Sequence, residues 1–187
     1  MRTLLTTLAL LSAATAPAFA DNNRVLTSVK ITEIRSMLVE EGYTVVSTGD
    51  DGADSIRART EDGIIFNILG TACATAFADG CLGLNMQVRY DADGRETLER
   101  INNANLMWAA TAIWYSEEGF NGGGPTVGMS RYVILDSGVT AGNIKDNLIN
   151  LLAIAPQAAD YIWQAGRFAP GADPDDWDDE DYFYGDW

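Results

Sequence analysis

The 187 residues carry 27 Asp and Glu against 12 Lys and Arg, a formal net charge of −15, and no histidine. So acidic a balance sets nucleic acid aside as a ligand, because phosphate binding depends on basic patches that release counterions. The missing imidazole removes the commonest general base and the commonest metal ligand together, which leaves serine triads without their middle member.

The chain opens with Arg2, an apolar run from Leu4 to Ala14, and Ala18-Phe19-Ala20. This is the pattern of a secretory leader, residues 1–20, cleaved after Ala20. Its apolar run falls short of the roughly 20 residues that span a bilayer, and no later segment is long and apolar enough. The expected mature chain therefore starts at Asp21, is soluble, and is periplasmic or secreted. Residues 21–168 suit one domain that builds its own core, with residues 169–187 as an acidic, disordered tail.

Within that domain, Thr32 is the predicted cap of a short helix with Ile34, Met37 and Leu38 on one face, stopped by Gly42. Period-two runs follow at 43–47, 55–60 and 64–69, joined by turns at Asp50-Asp51-Gly52 and Glu61-Asp62-Gly63, and they read as an antiparallel meander. The segment from Cys73 to Cys81 then interrupts the pattern, and alternation resumes from Leu82 to Tyr90. In an oxidising compartment the two cysteines are expected to form a disulfide worth about 2–3 kcal/mol; unpaired or intermolecularly paired thiols are the alternatives. A metal pair is a poor fit, since two thiols without histidine make an incomplete tetrahedral site.

A second helix is predicted from about Arg95 to Trp108, with Leu98, Ile101 and Asn105 along one face. Strands at 112–115 and 127–135 form a hairpin around a glycine-rich loop. Thr140 caps a last helix, which Pro156 either kinks or restarts. The order predicts an α+β fold, one antiparallel sheet with helices on one face.

Few residues carry candidate chemistry. Gly128-Met129-Ser130 begins like a nucleophile elbow but lacks the second glycine and a histidine, so it reads as strand. The loop from Gly122 to Gly128 lacks the Gly-Lys-Ser/Thr ending of a phosphate cradle. Aligning Gly94 to the sixth position of a calcium loop puts Arg89 first and Arg100 twelfth, where carboxylates are required. Asp50 and Asp51 suit a turn better than a catalytic dyad. Asn102, Asn105 and Trp108 recur at three-residue spacing and are candidate binding residues, weighed against a structural role in which the amides bond to neighbouring backbone. Between Asp173 and Trp187 stand eight carboxylates and no base, interleaved with Trp177, Tyr182, Phe183, Tyr184 and Trp187. A purely solubilising tail needs no aromatics, so Trp177, Tyr182 and Trp187 are further binding candidates, for docking on a basic, partly apolar surface. A solvated end and weak calcium binding are the other readings.

Several motifs resemble those of the YbjN family, bacterial proteins to which a role in sensory transduction is ascribed. They are Leu38-Val39-Glu40-Glu41-Gly42-Tyr43, the Cys73 and Cys81 pair, Ile101-Asn102-Asn103-Ala104-Asn105, and Leu135-Asp136-Ser137-Gly138-Val139-Thr140 followed by Asn143. The resemblance runs from about Thr32 to Trp163. It implies a fold similar to type III secretion chaperones, pairing into homodimers and a peptide-binding surface, and it brings no enzyme activity, cofactor, metal or catalytic residue. The chain departs from the family at Leu106-Met107-Trp108-Ala109-Ala110-Thr111, where relatives commonly place an arginine. The expectation is an exported, non-catalytic module that binds a protein or peptide. The alternatives are a small hydrolase using Asp50, Asp51 or Asp136, and a calcium-binding envelope protein.

Overall fold

The structure, a computed structural model, describes residues 19–76, 78–119 and 123–163. Most of the expected leader lies outside these residues, as does the tail with Trp177, Tyr182 and Trp187. Phe19, just ahead of the expected cleavage point, is buried in the core.

Helix α1 (Ile31–Glu40) buries Ile34, Met37 and Leu38, as their spacing predicts. It starts earlier than expected: Lys30 and not Thr32 is the N-cap, its backbone N–H donating to the Glu33 carboxylate at 2.9 Å. Gly42 ends the helix at φ 85°. Gly42 N–H donates to Val39 O and Tyr43 N–H to Leu38 O, the two bonds that close a left-handed helix stop.

Strands β2 (Thr44–Thr48), β3 (Ser55–Arg59), β4 (Ile65–Thr75) and β5 (Ala78–Asp91) form the meander. The expected interruption between Cys73 and Cys81 is absent. The β4–β5 ladder runs on to Thr75 opposite Ala78, and Cys73 faces Cys81 within it. Ala72 and Ala74 take φ 49° on either side of Cys73, where the register shifts. That irregularity removes the period-two signal without ending the strands.

Helix α2 (Leu98–Met107) is capped by Thr97, whose hydroxyl accepts the Arg100 N–H at 3.2 Å. Its buried face is Ile101 and Ala104, whereas Leu98, expected on that face, is 75% exposed. The helix is moored to the sheet at its other end, by Asn105. Strands β6 (Ala112–Ser116) and β7 (Thr126–Ile134) form the second hairpin, and the short β8 (Val139–Thr140) pairs with β1 (Val25–Leu26). In α3 (Ala141–Trp163) the Asn143 N–H donates to the Thr140 hydroxyl at 3.2 Å, and the helix is continuous through Pro156.

The main sheet is antiparallel throughout, in the order β2-β3-β4-β5-β7-β6. Residues directly opposite each other in such a ladder point to the same side. Ile56, Ile68 and Met86 therefore share one face with Phe66, Val88 and Met129, and the three helices pack there to close a single core. The fold is α+β, with its helices on one face of the sheet.

Candidate functional site

The register that aims Ile68 and Met86 at the helices turns their neighbours the other way. Arg57, Asn67, Gln87 and Ser130 form one row across the opposite, helix-free face. Arg59, Ile65, Arg89 and Gly128 lie in the next row, with Trp114 opposite Gly128. A Cβ on Gly128 would overlap the Trp114 ring, so the indole lies against the bare backbone. Only glycine admits a ring so close to the strand.

No helix among the described residues covers this face, yet Asn67 and Gln87 are only 3% and 6% exposed. The β2–β3 turn provides the cover. The Asp51 N–H donates to the Ser55 hydroxyl at 3.1 Å and that hydroxyl donates to Gly52 O at 2.7 Å, which folds the turn inward. The Asp51 carboxylate then accepts from Arg89 Nη1 at 3.0 Å, in an ion pair whose side chains are 6% and 11% exposed. Arg89 also donates to Gln87 Oε1 through Nε at 2.9 Å and Nη2 at 2.7 Å, and Arg57 Nε donates to Asn67 Oδ1 at 3.3 Å.

Burial pulls the Arg89 guanidinium below its ordinary value, Asp51 pulls it back up, and the nearby Arg57 charge adds to the lowering. A guanidinium keeps its proton regardless. The consequence is a face with three arginines in two adjacent rows, where Asp51 balances one. On the same side, between Leu69 and Tyr132 in the register, the buried Asn85 Oδ1 finds no hydrogen-bond partner among the described residues. Leaving such an acceptor unmet costs about 1–3 kcal/mol.

Among the described residues, the binding candidates singled out from sequence are held apart from one another. Asn105 is occupied by backbone: its amide donates to Ile101 O and Ile113 O and accepts the Ile113 N–H at 2.8 Å, joining α2 to β6. Asn102 is exposed, and Trp108 stacks edge-on against Tyr161 at 5.9 Å. The hydrolase candidates are separated as well. Asp51 is engaged by Arg89, Asp50 accepts from the Ser47 hydroxyl, and Asp136 is exposed after β7. Cys73 and Cys81 form a disulfide. Asp54 lies within 4.8 Å of both sulfurs, but a disulfide sulfur is no thiolate, so the trio does not supply a zinc ligand set. No helix among the described residues is long and apolar enough to cross a membrane.

Sequence reasoning missed Arg57, Arg59, Arg89, Asn67, Gln87 and Trp114. For the arginines and Gln87 the signal is present in strands already recognised, where polar residues alternate at Ser55, Arg57 and Arg59 in β3 and at Asn85, Gln87 and Arg89 in β5, whereas Asn67 and Trp114 have no such pattern around them.

Comparison with known proteins adds a family and a fold. The family model YbjN, described as "Putative bacterial sensory transduction regulator", matches residues 30–162. The crystal structure of "YbjN, a putative transcription regulator from E. coli" superposes with a TM-score of 0.54 at 11% identity, covering 75% of this chain and 93% of that one. A chain from the "Crystal Structure of the ExsC-ExsE Complex" gives 0.51 at 13% identity, covering 74% of this chain and 99% of that one. At such identities the likeness is one of fold. No curated protein matches the chain.

Proposed function

The chain belongs to the YbjN family, and from that premise we propose that it is a non-catalytic binding module whose open sheet face takes an acidic, extended segment of a protein. The observation that carries this reading is the helix-free face itself, where Arg57, Arg59 and Arg89 cluster in a chain of net charge −15. Guanidinium forks recognise carboxylates by paired hydrogen bonds. Half-buried Trp114 gives apolar ground beside them. A protein of this fold stands in the ExsC–ExsE complex, which agrees with a protein ligand. The disulfide is compatible with export, which supports placing the proposed binding role on the periplasmic or secreted side.

Titration of the full chain with a fluorescent Asp- and Trp-rich peptide, against its Asn-substituted counterpart, tests the reading. The acidic peptide is expected to bind and the neutral one not, and reversing Arg57 or Arg59 to Glu should weaken binding by about tenfold or more. Equal binding of the two peptides, or indifference to both reversals, would sink it.

A further inference from the structure

Helix α3 finishes at Trp163, whose ring meets Tyr90 edge-on at 5.7 Å, while the Arg100 guanidinium holds Ile162 O at 3.1 Å. Tyr90 is the immediate neighbour of Arg89 and the penultimate residue of β5. The described residues thus end at the end of the sheet that carries the arginine rows. Asp91, exposed, is the acidic group one step further along that strand. Ten residue steps separate Trp163 from Asp173, enough to reach about 33 Å when extended. Passing around the end of β5 from the helix side to the open face requires on the order of 10 Å.

The segment that follows has the composition this face selects. Residues 173–187 hold eight carboxylates, no base and five aromatics. The face offers Arg57 and Arg59, which pair with no carboxylate among the described residues. It also offers Trp114 and the exposed Ile65 and Tyr132 as apolar ground. Arg89 draws Asp51 over the same rows, so one internal carboxylate already binds there.

We infer that residues 173–187 dock on the open sheet face of their own chain, over Arg57, Arg59 and Trp114, and compete there with outside acidic partners. This rests on the reading of that face as a site for acidic chain. Tethering makes the competition effective, since a short linker presents its segment at millimolar effective concentration.

The experiment compares amide NMR spectra of the full chain and of a full-length variant in which the eight carboxylates of 173–187 are changed to amides, with the free 173–187 peptide as probe. The expected result is a difference between the two chains at Arg57, Arg59, Asn67 and Arg89 that collapses as salt rises from about 50 to about 500 mM. Leu38 and Ile144, on the helix side, should not differ. The peptide should bind the neutralised chain about tenfold more tightly than the native one. If it binds both chains equally at the open face, self-docking is overturned and the reading of the face stands. If it binds neither and the spectra coincide, both fall. Differences confined to another surface, such as the exposed Leu106 and Met107 of α2, also overturn self-docking.

Discussion

On the helix side of the sheet Phe66 and Met86 are fully buried by apolar neighbours; one residue along the same strands Asn67 and Gln87 are almost as buried on the other side, beneath a turn and two arginines. The two faces reach similar exclusion of water by different means. Apolar burial needs volume and shape, and it tolerates exchange among side chains of similar size. Polar burial needs every donor and acceptor matched, so the open face is held by a specific network of Asp51, Arg89 and Gln87. A face organised by charge and amides can be reopened by a competing carboxylate, whereas the helix-side core cannot. That contrast is the physical ground for the proposal that recognition belongs to the open side, with stability resting on the closed one.

Truncation sets the scale of the contrast. Phe66→Ala on the closed face should cost about 3–5 kcal/mol in urea unfolding. Asp51→Asn on the open face should cost about 3 kcal/mol, because it leaves Arg89 half-buried without its counter-charge, and adding Arg89→Met should recover most of that loss. No such recovery exists for Phe66→Ala, where the cavity remains. A neutral Asp51→Asn would show that the ion pair does not organise the face. Gly128→Ala comes next, at about 1–3 kcal/mol, since the new methyl displaces the Trp114 ring. Tryptophan emission should shift to the red while far-ultraviolet circular dichroism stays as it was, and unchanged emission would place the indole elsewhere.

The closed face was the legible one. Ile34, Met37 and Leu38 at helical spacing, and Leu84, Met86 and Val88 at alternating spacing, announce their burial, so the elements and the α+β arrangement could be read from them. The continuation of β4 and β5 past Cys73 could not, because Gly70, Ala72 and Ala74 give no alternation. The strands persist there through the disulfide and through Gly70, where a Cβ would stand 2.3 Å from Cys81 Sγ. The open face was hidden for a different reason. Polar residues on the outward side of a strand look like ordinary solvated surface. Only the register shows that Arg89, 30 positions after Arg59, shares two adjacent rows with Arg57 and Arg59, and only the fold of the turn shows that Asp51 reaches Arg89. Asn105 was the clearer case: of its two readings from sequence, binding residue or amide bonded to neighbouring backbone, the structure shows the second, with Ile101 and Ile113 as partners.

The smallest effect distinguishes the faces by pH. Burial raises Tyr43 and Tyr90, on the helix side, above the ordinary value of 10.0, and the nearby Glu41 and Asp160 carboxylates push the same way. A phenol whose folded value exceeds its unfolded one holds its proton longer in the native state, so its contribution is intact below about pH 10 and is lost as pH rises through the raised value. The Arg89 guanidinium of the open face keeps its proton throughout that window. Lys30, raised by Asp79, deprotonates in the same alkaline direction but is too exposed to contribute much. Denaturant midpoints should therefore hold level from pH 7 to 9 and fall above 10, and Tyr43→Phe with Tyr90→Phe should flatten the fall. Since Tyr43 packs edge-on against Phe66 at 5.2 Å and Tyr90 against Trp163, the alkaline loss starts in the helix-side core while Asp51 and Arg89 remain paired. An undiminished fall in the double phenylalanine variant would assign the alkaline weakness to some other group and remove this distinction between the faces.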